Sequence, residues 1–433
     1  MMIVTHGRAR RGAVTTALLV LFCLLLIVML WAAELLSFRS HARVELNIAD
    51  DAVTHAAARD LVTDSAFTRA YVNDGTSVVP IDRGALLAKA RADGERFGRL
   101  SRVMGRPVTV NDNPDNDPAG DIFLGTLDNP TSRTFIGLDR TGFDPFNPDL
   151  NAVRLKTRLA RVAASSTYFV DHDVIGFRLK EPPPTSPGFP TVPMVPLAIL
   201  SEPCAPAQNT PTCWGSKDAT TWEKQVMARA GKDEWSVGPS GAPVNVGDGI
   251  PEIKVTLTQG DNSNDNAQLV YFNPAETFAA LVGQVKNGVA YGDLATGGQK
   301  PGQFLLNDGT QKVNQAPALT EPLPPPSSSV GPGGASVLAG SAQNQTGLLG
   351  ILGQPRVWLL YSGLTSQNGT QTVNVVGFVV ARVMAVQVAG GSLTVTLQPS
   401  VLVTDKAVTN WTLRDLGPRS LYNPYVARLR FVE

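Results

Sequence analysis

The chain has 433 residues, 43% of them hydrophobic, so it is long and apolar enough for about two or three domains with a substantial core. Its 37 lysines and arginines balance 37 aspartates and glutamates, which excludes the strongly basic class of nucleic-acid-binding proteins. The 40 glycines and 32 prolines favour a loop-rich β protein outside the N-terminal helix.

An apolar segment near the N-terminus predicts one membrane-spanning helix. Residues 13–33 carry no charge, and at about 1.5 Å per residue they would extend roughly 31 Å, close to the thickness of a bilayer core. Basic residues precede the segment and acidic residues do not, so the N-terminus is expected in the cytoplasm and the body outside. A cleaved signal peptide is the competing interpretation, because Trp31-Ala32-Ala33 resembles a cleavage site. The length of the run favours a retained helix.

The helical pattern continues beyond Glu34 as a projecting stalk. Apolar residues recur there at steps of three or four, close to a heptad repeat: Leu35, Phe38, Ala42, Leu46, Ala49, Val53 and Ala56. This stripe would pack either on the chain's own globular domain or against a partner helix in an oligomeric coiled coil. The first interpretation is slightly favoured.

Two short motifs flank the apolar segment. Arg10-Arg11-Gly12 precedes it, and Glu45-Leu46-Asn47-Ile48-Ala49-Asp50-Asp51-Ala52 follows it. They resemble the N-terminal signature of TadG-like proteins of the Tad (Flp, tight-adherence) pilus assembly system, which typically reads Arg-Arg-Gly, an apolar helix, then Glu-Leu-Gln-x-x-Ala-Asp-Ala-Ala-Ala. Asp51 matches the family's aspartate, whereas Asn47 replaces its glutamine. The motif and docking residues that this resemblance implies are Arg10, Arg11, Gly12, Leu46, Asn47, Ala49, Asp51, Ala52 and Ala56.

The resemblance also implies a location and partners. It predicts a single-pass protein of the bacterial cytoplasmic membrane that contacts other pilus-assembly or envelope proteins. The segments 120–125 and 151–154 extend the likeness into the extracytoplasmic region, with weaker motifs.

The segment after the stalk predicts an α+β domain. A helix is expected from Arg83 to about Met104, with Gly94 and Gly98 weakening it, and strands are expected at 106–110, 121–127, 134–138 and 151–159. The segment 111–121 is rich in aspartate and asparagine. It would either bind calcium or form a solvated turn, and the turn is favoured because the EF-hand register fails.

The middle of the chain predicts an inserted α+β region. It begins with a proline-rich connector, and Cys204 and Cys213 are expected to form a disulfide in an exported domain, the alternative being two unpaired thiols. Strands are predicted at 192–200, 253–257 and 267–272, and helices at 220–230 and 276–285.

The last part of the chain predicts a β domain. Its strands are expected at 356–361, 373–381, 383–388, 392–397 and 401–403, with a hairpin turn at Gly390-Gly391. The fold class is therefore α+β: a transmembrane helix, its stalk and a β-rich extracytoplasmic body. The predicted segments are 1–12 cytoplasmic tail, 13–33 transmembrane helix, 34–63 stalk, 64–181 α+β domain, 182–317 inserted region with the cysteine loop, 318–336 Pro/Gly/Ser-rich linker and 337–433 C-terminal β domain.

Residues that could support catalysis are scarce. Among four histidines, only His172, in Asp171-His172-Asp173, falls in the globular part, and a surface turn is favoured over a base or a ligand. No hydrolase elbow, phosphate-binding glycine loop or zinc-protease motif occurs. Neither enzyme activity nor a cofactor or metal is expected.

The sequence therefore predicts a membrane-anchored Tad/Flp pilus assembly or minor envelope component that acts by protein–protein scaffolding. A minor pilin is one alternative, since Arg10-Arg11-Gly12-Ala13 resembles a prepilin processing site. Ala17 stands where a pilin would carry glutamate, which disfavours it. An anchored surface adhesin or binding module unrelated to pili is the other alternative.

Overall fold

The computed structural model describes residues 7–64, 84–117, 119–127, 135–137, 152–159, 162–182, 191–201, 221–222, 225–226, 233–258, 266–272, 278–294, 300–306, 311–315, 338–340, 347–367, 370–389, 392–409 and 423–432. The predicted disulfide of Cys204 and Cys213, the linker at 318–336 and the turn at Gly390-Gly391 lie outside these residues. So does most of the predicted helix at 220–230.

One continuous helix, α1, begins at Gly7 and ends at Asp60, as the uninterrupted pattern predicts. Its 54 residues are about 80 Å long at 1.5 Å per residue, and no proline breaks the hydrogen-bond ladder. Within the described part of the chain, α1 is the helix that is long and apolar enough to cross a membrane. Its most apolar window has a mean hydropathy of 2.8 and contains no buried residue.

The remaining elements belong to the body. Helix α2 is Gly84–Leu100 and helix α3 is Phe278–Asn287. In chain order the strands are β1 Arg102–Val103, β2 Arg106–Pro107, β3 Ile122–Leu127, β4 Phe135–Gly137, β5 Ala152–Leu159, β6 Val162–Asp171, β7 Val174–Arg178, β8 Thr191–Val192, β9 Met194–Leu200, β10 Ser236–Val237, β11 Pro243–Val244, β12 Ile253–Thr258, β13 Ala267–Tyr271, β14 Val289–Ala290, β15 Gln303–Leu305, β16 Gln311–Gln315, β17 Pro355–Gln367, β18 Thr370–Ala389, β19 Ser392–Pro399, β20 Leu402–Val403, β21 Ala407–Thr409 and β22 Val426–Phe431.

A six-stranded sheet forms the part of the body next to α1. Its order is β20-β22-β6-β5-β3-β4, antiparallel except for the parallel pair β20–β22. The C-terminal half of α1 packs on β5 and β6 and beside α2. This arrangement encloses a core that includes Leu46 and Val53 of α1, Ile122 of β3 and Leu155 of β5.

Helix α2 is unbroken despite its two internal glycines. Both glycines lie where the helix packs so closely on its neighbours that a side chain would not fit. A Cβ at Gly94 would lie 2.9 Å from Ile122 Cδ1, and one at Gly98 would lie 2.8 Å from Val110 Cγ2. A larger side chain at Gly94 would push α2 away from the sheet, and one at Gly98 would push it away from the segment after β2.

The predicted end of this helix at Met104 is wrong. Helix α2 ends at Leu100, and the β1–β2 hairpin follows. Met104 and Gly105 form the hairpin turn with φ of 50° and 78°, the left-handed backbone that a two-residue turn of this kind requires. The local turn geometry therefore overrides the helical spacing of the apolar residues.

A second sheet of seven strands has the order β12-β19-β18-β16-β13-β9-β17. Because β17 also pairs with β18, the five strands β18, β16, β13, β9 and β17 close into a ring. The pairs in the ring are antiparallel except β17–β9, which is parallel. The core of this part includes Phe177, Phe304 and Phe378, and the rings of Phe177 and Phe378 meet edge to face at 5.1 Å between centroids.

The predicted break between two strands at Arg382 is wrong. Residues 370–389 form the single 20-residue strand β18. Its first part pairs with β17 as far as Arg382, and its last part pairs with β19 from Ala381 onward. The register with β19 shifts between Val383 and Ala385, so a bulge, not a chain break, lies near Arg382.

The C-terminal strands enter two different sheets. Strand β22 pairs with β6 in the six-stranded sheet, and β21 pairs with β7 in a small three-stranded sheet. The seven-stranded sheet takes strands from both sides of the predicted linker at 318–336. The chain is thus an α+β protein with one long apolar N-terminal helix and a β-rich body.

Candidate functional site

The candidate site is the C-terminal half of α1 and the surface of the body that it contacts. Helix α1 is exposed from Thr15 to His41, and its contact with the body begins at Ala42. From there to Asp60 one face of the helix is buried and the opposite face is open to solvent. The heptad-like stripe therefore packs on the chain's own body from Ala42 onward.

The predicted motif residues divide between these two faces. Leu46 and Ala49 are buried under the sheet, whereas Asn47 and Ala52 are exposed. Asp51 and Ala56 are partly buried at the boundary. Arg10, Arg11 and Gly12 lie in the first turns of α1, far along the helix from the body.

The exposed face carries an apolar stripe, defined by Val44, Ile48 and Ala52, which lie one helical turn apart. Val44 is 56% exposed and Ile48 is 64% exposed. Leu35 and Phe38, at the N-terminal end of the predicted heptad stripe, are exposed too, so they do not take part in packing on the body.

A buried carboxylate lies at the centre of the contact between α1 and the sheet. Asp50 is 1% exposed, and the Thr157 hydroxyl of β5 donates a hydrogen bond to Asp50 Oδ1 at 2.5 Å. The second carboxylate oxygen, Oδ2, is buried without a hydrogen-bond partner. A charge in such a place is strongly disfavoured, because water no longer solvates it and one hydrogen bond replaces several.

Burial accordingly raises the pKa of Asp50 from 3.8 to about 6. The Thr157 hydrogen bond opposes this shift by stabilising the charged form, while the negative charges of Asp51 and Asp121 add to it. Asp50 therefore changes its charge within the range of pH that cells and their surfaces experience.

Other polar groups line the same contact. The Thr54 hydroxyl donates to the backbone carbonyl of Asp50 at 2.7 Å, and the Ser166 hydroxyl of β6 lies 2.5 Å from Thr54 Oγ1. Because the hydrogen of Thr54 is engaged with the carbonyl, Ser166 donates to Thr54. The ring of His55 meets Tyr168 edge to face at 5.5 Å, and burial together with Arg59 lowers the pKa of His55.

Asp50 is the functional candidate that the sequence reasoning missed. The family motif directs attention to Asp51, which is only partly buried. Helical spacing was the available signal: Asp50 lies one turn after Leu46 and one turn before Thr54, and all three residues are buried.

A second carboxylate joins α1 to the seven-stranded sheet. Asp64, just beyond the end of α1, accepts hydrogen bonds at Oδ2 from Nε and Nη2 of Arg382, at 3.3 and 2.7 Å. Its Oδ1 accepts from the Ser400 hydroxyl at 2.8 Å and the Val401 backbone N–H at 2.7 Å. Arg382 also donates a hydrogen bond from Nη1 to the Gly353 carbonyl at 2.8 Å, so a second contact fixes the arginine of the Asp64–Arg382 ion pair.

Replacing Asp64 with alanine should lower the free energy of unfolding by about 2 kcal/mol, because four donors lose their acceptor and Arg382 loses its counter-charge in a partly buried site. Denaturant unfolding of the full chain in detergent measures the loss. Asp405→Ala is the matched control: its ion pair with Lys406 is long, and the Asp405 side chain is 88% exposed, so little change is expected. Equal effects of the two substitutions would contradict a structural role for Asp64.

The asparagine-rich segment 111–121 uses its side chains to hold its own backbone. Asn113 Nδ2 donates to the carbonyls of Asp117 and Ile122, and Asn116 exchanges two hydrogen bonds with the backbone of Leu124. Asn113 and Asn116 adopt φ of 49° and 52°, which asparagine tolerates. In the part of the chain that the structure describes, no group of three or more His, Cys, Asp or Glu side chains could hold a metal ion.

The segment 171–173 lies in the turn between β6 and β7, where it makes internal contacts. His172 Nδ1 lies 3.0 Å from the Asn423 carbonyl oxygen, and the Asn423 side chain donates to the Phe378 carbonyl. Asp171 is 1% exposed and lies 3.5 Å from Nη1 of Arg430; burial raises the pKa of its carboxyl group, against the opposing effect of a Thr409 hydrogen bond. These contacts join the end of β6 to β18, β21 and β22.

Comparison of the chain with protein-family models, with curated proteins and with solved structures finds no match.

Proposed function

We propose that the chain is a membrane-anchored scaffold of a Tad-type pilus assembly system. The N-terminal half of α1 would cross the cytoplasmic membrane with its N-terminus inside. The body would stand outside and bind other pilus-assembly or envelope proteins. No catalytic step belongs to this function.

One observation supports anchoring above all: α1 is a single helix with two different environments. From Thr15 onward its N-terminal half exposes apolar side chains along its whole circumference, which is favourable in lipid and unfavourable in water. Its C-terminal half is packed into the core of the body. A helix built in this way joins a bilayer to a folded body without a flexible linker.

The pilus part of the proposal rests on the sequence resemblance of the motifs that flank the apolar segment. Of those motif residues, Asn47 and Ala52 face solvent, next to the apolar stripe of Val44 and Ile48. Exposed apolar residues on a helix that is otherwise docked are available to a partner protein. The stripe is therefore the surface that we assign to contact with other components.

Two arginines in the centre of the span should abolish anchoring. In Leu24→Arg/Leu25→Arg, each charge opposes insertion by about 2.5–3.5 kcal/mol, so the protein should leave the membrane fraction under alkaline extraction, whereas the unaltered chain stays in it. Ile48→Arg is the matched control, since Ile48 is an equally exposed apolar residue outside the predicted span. Protease protection of an N-terminal tag in intact cells checks the orientation. Extraction of the unaltered chain by alkali would refute anchoring.

The pilus role has a separate test in cells that assemble Tad pili. Deleting the gene for this chain should remove surface pili, and Ile48→Arg should reproduce the loss although the protein remains anchored. Normal piliation without the chain would refute the assembly role. The intact mass of the mature protein tests the alternative that the chain is a minor pilin. A chain cut after Gly12 would favour a pilin over a retained scaffold.

A further inference from the structure

Five arginines lie on the elements that meet where α1 enters the body, and we call them the basic rim. It consists of Arg39 and Arg43 of α1, Arg99 of α2, and Arg102 and Arg106 of the β1–β2 hairpin. All five side chains are exposed. The proposed function does not use them.

Contacts between the elements put the rim on the side of the body that faces the apolar half of α1. Helix α2 runs antiparallel to α1, since Lys89, near its start, contacts Asp60 at the end of α1. The hairpin after α2 returns to the point where packing begins: the Met104 N–H donates to Glu45 Oε2 at 2.6 Å. Among the described residues, the C-terminal end of α2 and the hairpin thus lie beside the start of the docked part of α1, next to its apolar half.

The local charge of the rim contrasts with the neutral chain. Residues 96–106 contain four arginines and no acidic residue. On α1, Glu34 is the only acidic residue between Ala33 and Glu45. The rim is therefore a positive patch on a protein whose total charge is balanced.

The acidic groups nearest to the rim have other partners or lie farther away. Glu95 forms an ion pair with Arg99 and so offsets one charge of the rim, whereas Glu45 accepts the hydrogen bond from the hairpin backbone. Arg39, Arg43, Arg102 and Arg106 keep the rim positive. The acidic segment 111–121 contacts α2 at Arg91, about 14 Å along the helix from Leu100, so it does not neutralise the rim.

An apolar side chain accompanies these charges. Leu100 is the last residue of α2, and its side chain is 68% exposed at the same end of the body. Arginines beside an exposed leucine are the combination found on protein surfaces that lie against a lipid headgroup layer, where the cations bind phosphate and the apolar group enters the boundary.

The distance to the membrane is compatible with this contact. Glu45 is 12 residues after Ala33, so it lies about 18 Å along α1 from the predicted end of the span. The headgroup layer occupies about 5–7 Å of that length. About 11–13 Å remain, slightly more than the screening length of about 8–10 Å, and Arg39 and Arg43 lie within this interval. A tilt of α1 brings the hairpin still closer on one side.

We propose that the basic rim binds anionic lipid headgroups of the membrane that α1 spans, and so holds the body against the membrane surface. This inference rests on the proposed anchoring. The ligand chemistry is the phosphate of an anionic phospholipid, and the arginines are its binding groups.

The test uses the full chain reconstituted into vesicles of phosphatidylcholine, with or without phosphatidylglycerol. Hydrogen exchange of the backbone amides at 101–106 should slow in the anionic vesicles relative to the neutral ones, by about fivefold per engaged arginine. The difference should disappear in about 1 M salt, where the screening length falls to about 3 Å. The unaltered protein in neutral vesicles is the reference.

Substitutions of the hairpin arginines show whether the protection depends on their positive charge or on the shape of the guanidinium group. Arg102→Gln/Arg106→Gln should lose the protection in anionic vesicles, whereas Arg102→Lys/Arg106→Lys should keep most of it. Lys254→Gln, an exposed substitution on β12, should have no effect. Both arginines are exposed at the hairpin, so these variants are expected to fold normally.

The outcomes distinguish lipid binding by the rim from anchoring by α1. A chain that fails to float with vesicles of either composition would refute anchoring. A chain that floats with both kinds of vesicle but shows identical hydrogen exchange at 101–106 in the two would leave anchoring intact. It would overturn the proposal that the basic rim binds anionic lipid. Protection that occurs in native membranes but not in protein-free anionic vesicles would also overturn lipid binding, and would assign the rim to a protein partner.

Discussion

Leu46→Ala should lower the free energy of unfolding by about 3 kcal/mol, because it removes a fully buried side chain from the core that α1 shares with the sheet. The cavity would lie in the core that α1 shares with the sheet, where the backbone of both elements limits collapse. Denaturant unfolding of the detergent-solubilised chain measures this loss. The midpoint concentration of denaturant should fall, while the slope of the unfolding free energy against denaturant concentration stays constant.

Ile48→Ala is the matched control for this prediction. It removes the same number of carbon atoms from the same helix, but Ile48 is 64% exposed, so the change in stability should stay within about 0.5 kcal/mol. A comparable loss for both substitutions would indicate that α1 does not dock on the body through the face described.

Asp50→Asn should stabilise the protein at neutral and higher pH, by up to about 3 kcal/mol, the free energy that corresponds to raising the pKa from 3.8 to about 6. The folded state holds the proton of Asp50 more strongly than the unfolded state does. The stability that comes from the neutral side chain is therefore fully present below about pH 4 and is lost as the pH rises through about 6. The asparagine variant lacks this titration.

The measurement is the unfolding free energy of both proteins from pH 4 to pH 8. The two curves should lie close together at the acidic end and separate as the pH passes 6, with the variant above. Asp51→Asn, at a partly buried position, should give a smaller separation. Parallel curves across the range would show that Asp50 does not change its charge at the interface.

The long helix was predictable because its signals are local. An uncharged run, absence of proline and apolar steps of three or four residues together specify α1 from the sequence alone. The site was only half predictable from the same pattern. The motif identified Leu46 and Ala49, which are buried, and helical spacing places Asp50 on the same face, but the raised pKa of Asp50 depends on the packing against β5, which the pattern does not specify.

Strand β6 shows why part of the sheet could not be predicted. Its segment Ala164-Ser165-Ser166-Thr167 lacks the apolar alternation of a strand, since Ser166 is buried to meet Thr54. The ring of five strands was also beyond local reasoning. Strand β9 pairs with β17 across more than 150 residues of sequence, and alternation in either strand does not specify its partner.

The hydrogen-bonded contact of Asp64 with Arg382, Ser400 and Val401 has a mechanical consequence. Under the proposed anchoring, a pull on α1 from the membrane side would act along the helix axis, parallel to the face that contacts the sheet. The contacts from Ala42 to Asp60 would then be loaded in shear and share the force. The part of the force that these contacts do not carry would pass from Asp64 to Arg382. Arg382 lies at the point where β18 stops pairing with β17 and begins to pair with β19. Under the proposed anchoring, traction on α1 would therefore reach the closed ring of strands through the ion pair of Asp64 and Arg382.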